Sequence, residues 1–249
     1  MRLKVNINHH AVFSLVEMAV VLIILGFVLA TLLLPLQAQR NQLFQSQTEN
    51  TLETAKKALL GYAQSQGRLP CPATLASNGM EHPLGGGVCT VSVGFLPSAT
   101  LGVQPADSNG FALDGWSNRI RYAVNQTNDV GALTTHFTTT NEMANQGIAN
   151  LQPNIRVCST ATGITASRCS GGTDANYLIN NAVAVIYSIG ATGSQVSGGA
   201  DEDANLNVDP VFVSHDIRSS DPNGEFDHMV IWISPYVLYN AMIEAGQLH

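Results

Sequence analysis

The sequence predicts an α+β chain: a long N-terminal helix, an antiparallel β-sheet domain after it, and a short C-terminal helix. Three observations predict this class. Met18 to Leu34 reads MAVVLIILGFVLATLLL, seventeen residues with no charge. Beyond it Leu52, Ala55, Leu59 and Ala63 recur at spacings of 3, 4 and 4, which marks one face of a helix. From residue 68 onward, short apolar runs alternate with glycine-rich stretches, the pattern of strands and loops.

Each element follows in order. Arg2 and Lys4, with no acid beside them, make residues 1–12 a short basic leader. Phe13 to Leu34 is 22 residues long. At ~1.5 Å per residue that is ~33 Å of helix, enough for a ~30 Å hydrocarbon core. The expectation is a helix over 13–66, membrane-spanning over about 13–34. The basic leader then lies in the cytoplasm and everything after Leu34 on the far side of the membrane, as a single-pass protein. A cleaved secretory signal is the competing reading. Its apolar region spans only ~7–15 residues, and Leu36-Gln37-Ala38 is a poor cleavage site.

The back of the helix carries Gln, Asn and the supporting pair Glu53–Lys57, and Gly67 stops it. Residues 67–249 are expected to form an extracytoplasmic globular domain. Ile120–Val124, Ala182–Ile189 and Met229–Ile233 read as strands, and Thr134–Thr140 as another. Ser234 as N-cap, Pro235 at the first position and Gly246 as the stop frame a final helix.

Charge excludes one class of function. Only 12% of the 249 residues are charged, and no lysine follows Lys57. From Gly67 onward there are 15 acids and 6 arginines, a net charge of −9. Nucleic acid needs clustered positive charge to displace its counterions, so it is not an expected partner. Catalysis is not expected either. The sequence has no nucleophile-elbow, zinc-protease or phosphate-loop motif. His215-Asp216 and Asp227-His228 are adjacent pairs whose side chains diverge in a strand. Trp116 and Trp232 read as core residues.

Glu17 opens the apolar run within Phe13-Ser14-Leu15-Val16-Glu17. An acid there either sits in the first helical turn, where the dipole favours it, or awaits a positive partner. This stretch resembles the N-terminal signature of type IV pilins and type II secretion pseudopilins. Asp114-Gly115-Trp116-Ser117-Asn118-Arg119-Ile120-Arg121-Tyr122, Tyr187-Ser188-Ile189-Gly190-Ala191 and Phe226–Ser234 resemble later stretches of the same family. The resemblance implies a prepilin peptidase that cuts between Val12 and Phe13 and methylates the new amine. It implies that Glu17 pairs with a neighbouring subunit's terminal amine during filament assembly. Val12 stands where the family carries Gly. The implied partners are copies of this chain or related pilins, in a type II secretion pseudopilus or a type IV pilus. A membrane-tethered extracytoplasmic binding module that does not polymerise is the alternative.

Four cysteines, Cys71, Cys89, Cys158 and Cys169, follow the apolar run. An even number on the oxidising side suggests disulfides, with three pairings open. The shortest loops join Cys71 to Cys89 and Cys158 to Cys169. Asp201, Asp203, Asn205, Asn207 and Asp209 alternate after Gly198-Gly199. In an extended loop their oxygens share one side, which suits calcium, with Asp201, Asp203, Asn205 and Asp209 as the ligand candidates.

Overall fold

The computed structural model describes residues 14–128, 131–170, 176–193, 198–218 and 224–248, and the side chains of 30–38 lie outside that description. Helix α1 (Leu15–Gln66) is followed by β1 (Val93–Phe95), α2 (Ser98–Leu101), β2 (Arg121–Val124), α3 (Glu142–Gln146) and β3 (Ile155–Cys158). Then come β4 (Tyr177–Ala182), β5 (Ala184–Ser188), α4 (Ala200–Leu206), β6 (Val211–Val213), β7 (Met229–Ile233) and α5 (Pro235–Glu244). The chain divides inside α1 into two compact units, Met1–Leu43 and Phe44–His249.

In the first unit, the apolar side chains from Leu15 to Leu29 are exposed, Phe27 at 73% and Leu22 at 66%. The expected membrane-spanning first half of α1 is corrected here. Among the described residues no helix is long and apolar enough to cross a membrane. The described apolar stretch Leu15–Leu29 covers about 22 Å at the standard rise, short of a ~30 Å hydrocarbon core.

In the second unit, alternation along the strands builds the layers. A four-stranded sheet has the order β1-β2-β5-β7, all neighbours antiparallel. Tyr122 and Val124 of β2, Ala184 and Ile186 of β5, and Ile233 of β7 pack on one face with Leu52, Ala55, Leu59 and Ala63 of α1. Leu238 and Met242 of α5 join the same core. The intervening residues Ala123, Val185 and Tyr187 face the other way, onto Ile155 and Val157 of β3 and Phe212 of β6. That period of two is what a pleated strand buried on both faces imposes. Val211 and Val213, on either side of Phe212, pack instead with Ala204 of α4.

The sheet of β4, β3 and β6 departs from a purely antiparallel expectation. β3 and β6 run parallel, with Val157 opposite Phe212. Thr134–Thr140 forms turns and no strand. Its carbonyls accept from the segment leaving α1 and from the Gly85–Gly87 loop, Phe137 O from Leu69 N–H and Thr138 O from Gly87 N–H. Ser234 Oγ accepts the Val237 N–H at 3.4 Å with Pro235 next to it, the N-terminal chemistry that starts α5.

The exit from α1 is unusual for a connection, because every residue from Gly67 to Ala73 is buried. Arg68 therefore cannot reach water. It forms a fork with Glu81, Nη2 to Oε1 and Nη1 to Oε2, both at 2.7 Å. The Glu81 carboxylate also accepts the Cys71 and Gly85 N–H groups and the Tyr62 hydroxyl. Burial alone raises the Glu81 carboxyl. The Arg68 hydrogen bonds and charge outweigh burial and hold it below its ordinary 4.5.

Candidate functional site

Two places are candidates for functional chemistry. The first is the start of α1. Glu17 Oε2 accepts the Ser14 N–H at 3.0 Å, and Ser14 Oγ accepts the Val16 N–H at 3.3 Å. Each side chain satisfies a backbone donor near the other, in the manner of a capping box. Ser14-x-x-Glu17 was its legible signal. Val12 and Phe13 lie outside the described residues.

Cys71 is bonded to Cys89 and Cys158 to Cys169, and no cysteine is free. They close separations of 18 and 11 residues and fit a periplasmic or extracellular domain.

The second place is the acidic segment after Gly199. The extended loop expected there is corrected to helix α4, with Asp201, Glu202 and Asp203 in its first turn, where the dipole favours them. A helix turns ~100° per residue, so alternating residues no longer share a side. Asp201 is buried, accepts the Ala161 N–H, and lies 3.1 Å from His215 Nε2. Asp203 is exposed. Asn205 is buried and clamps β6, its Nδ2 donating to Val213 O at 2.9 Å and its Oδ1 accepting the Val213 N–H at 2.8 Å. Asp209 Oδ1 accepts the Val211 N–H at 3.0 Å. Of the four expected calcium ligands, three are engaged elsewhere and Asp203 faces solvent, and the structure does not bring them together.

It brings together a different set. One ligand atom each from Glu202, Asp227 and His228 lies within 4.8 Å of the others, and all three residues are buried. Asp227 and His228 sit just ahead of β7, where strand alternation has not begun, so their side chains need not diverge. Glu202 Oε1 accepts the Asp227 N–H at 2.8 Å. Asp227 Oδ2 accepts the Thr192 N–H at 2.7 Å and its hydroxyl at 2.9 Å. Two atoms of the group are buried without a hydrogen-bond partner: Asp227 Oδ1 and His228 Nε2.

Glycines shape the cluster. A Cβ on Gly198 would overlap Glu202 Oε2, and one on Gly190 would overlap Asp227 Oδ1. Burial pushes the Glu202 carboxyl up to about 7, helped by the Asp227 charge and opposed by the Asp227 N–H. Burial likewise pushes the His228 imidazole down to about 4, against the attraction of Asp227. His228 lines a cleft of about 580 Å³ with Glu49, Glu53, His215 and Asp216. Sequence reasoning missed this cluster. The usable signal was the Gly198-Gly199 pair followed closely by three acids, a helix start that points Glu202 inward.

Compared with known proteins, the chain matches no family model, no curated protein and no solved structure.

Proposed function

We propose that this chain is a structural subunit of a filament of the pilin or pseudopilin kind, assembled through its N-terminal apolar helix. One observation carries the reading. Twelve large apolar side chains between Leu15 and Leu29 stand exposed on one helix. Each gains ~1.5–3 kcal/mol when removed from water, and a surface of that extent calls for a cover. Copies of the same helix supply one of matching length and chemistry. The capping carboxylate of Glu17 lies near the start of that surface, and on this reading it would meet a neighbouring subunit's amine. The disulfide-bonded domain supports assembly outside the cytoplasm. On this reading the chain is held at a bacterial inner membrane before assembly, a prepilin peptidase releases and methylates Phe13, and the role is mechanical, with no catalysis.

Because no cysteine is free, Leu22→Cys introduces a single reactive thiol into the apolar stretch. Oxidising cells that carry this variant should give covalent dimers, joined through the introduced thiols of two chains, and shearing should release fibres. Glu17→Ala should abolish both. A chain that remains monomeric under oxidation, with an unprocessed N-terminus, overturns the reading.

A further inference from the structure

Two buried carboxylates face each other in the Glu202–Asp227–His228 group. Among the described residues, neither pairs with a Lys or Arg. Burying like charges side by side is costly unless a proton or a cation lies between them. The orphaned Asp227 Oδ1 and His228 Nε2 are the second sign, because buried polar atoms are nearly always satisfied. The third is the pair of glycines, Gly190 and Gly198, whose missing side chains leave room for the two carboxylates.

We infer that Glu202, Asp227 and His228 form a binding site for one divalent transition-metal ion of the Zn²⁺ class. An imidazole with two carboxylates is a borderline donor set, of the kind Zn²⁺ takes with solvent as a fourth ligand. Ca²⁺ asks for six to eight oxygens, which this group does not offer. Two negative charges and a dication cancel, removing the repulsion. Thr192, donating twice to Asp227 Oδ2, is the outer partner that orients this ligand. The cleft that His228 lines carries Glu49, Glu53 and Asp216, charges of the sign that attracts a cation. Asn205 Nδ2 lies 3.2 Å from His228 Nδ1, and Val213 fixes that amide. An ion held through Nε2 moves the ring proton to Nδ1 and gives up this contact, the longest of the three that Asn205 makes. Bound metal ties α4 to the start of β7, a cross-link between segments distant in sequence. The inference does not depend on the filament reading.

The test is a titration of the full chain with Co²⁺ and then Zn²⁺. His9 and His10, adjacent in the sequence, are changed to Gln beforehand so that they do not compete for the ion. The expected result is ligand-field absorption that saturates at one Co²⁺ per chain, is displaced by Zn²⁺, and is untouched by equimolar Ca²⁺. Asp227→Asn and Glu202→Gln, both near-isosteric, should weaken binding by about tenfold or more. His82→Gln, at an exposed histidine away from the group, should leave it unchanged. Zn²⁺ should also raise the melting temperature of the parent chain and not that of Asp227→Asn. Absence of saturable Co²⁺ and Zn²⁺ binding by the parent chain overturns the inference, whatever the variants do. So does displacement of Co²⁺ by Ca²⁺, or unchanged affinity in a folded Asp227→Asn.

Discussion

Glu81→Gln tests the physics of the α1 exit. The substitution keeps size and shape but removes the charge that Arg68 faces. Both side chains are at most 5% exposed, so water cannot replace the lost partner. The fork of two 2.7 Å bonds becomes one acceptor and one repelled amide, and the guanidinium is left buried without a counter-charge. Breaking one side of such a pair costs ~3–5 kcal/mol. With an m-value of about 2 kcal/mol per M, a loss of about 4 kcal/mol moves the urea midpoint down by about 2 M. The assay is urea unfolding with disulfides intact, followed by Trp116 and Trp232 fluorescence. Arg68→Met combined with Glu81→Gln leaves no charge buried and keeps an amide oxygen for the Cys71 and Gly85 N–H groups, so it should recover part of the loss. A midpoint shift for Glu81→Gln below about 0.3 M, or a double variant as unstable as the single one, refutes the reasoning.

Other outcomes follow from the same structure. The Glu81 carboxyl is held below its ordinary 4.5, so its contribution to stability is full above that value and is lost as pH falls through its folded-state value. The gap in unfolding free energy between the parent and Glu81→Gln should therefore shrink on acidification below about pH 4.5, measured by urea unfolding at each pH. Replacing Cys71 and Cys89 by Ala should cost about 3.2 kcal/mol, and Cys158 with Cys169 about 2.8 kcal/mol, because the closed loops differ in length. Calorimetry of the two variants checks the order. Gly115→Ala places a Cβ onto the Phe44 carbonyl and 2.6 Å from the Phe44 Cα. It should cost ~1–3 kcal/mol and lengthen the Thr48 Oγ1 to Gly115 N–H bond, seen as faster exchange of that amide.

The elements that could be read from the sequence are those in which local signals and packing agree. Leu52, Ala55, Leu59 and Ala63 were legible as a stripe because a helix face that meets a core must repeat at 3 to 4 residues. Met229–Ile233 was legible because its apolar run is continuous, and Ser234-Pro235 fixes where α5 begins. β3 and β6 were missed. Val211–Val213 is three residues long, and its parallel partner lies more than fifty residues away, so no local pattern announces the pairing. Thr134–Thr140 has the β-branched content of a strand but spends its hydrogen bonds on the α1 exit and a glycine loop. In the candidate site, the oxygen-rich segment drew attention while its conformation was misjudged. An alternating acid pattern carries no metal chemistry once the backbone coils. Glu202 looked like one acid among several, and only tertiary structure sets it beside Asp227 and His228.

The buried strap from Gly67 to Ala73 has a mechanical consequence. A tug on the last turn of α1 is shared between the core that Ala63 joins and these residues, which are moored along their length. Arg68 is pinned to Glu81, Leu69 to Phe137, Cys71 covalently to Cys89, and Ala73 to Phe95. With Cys71 covalently held to Cys89, the strap cannot be drawn out of the domain past that point while the bond is intact.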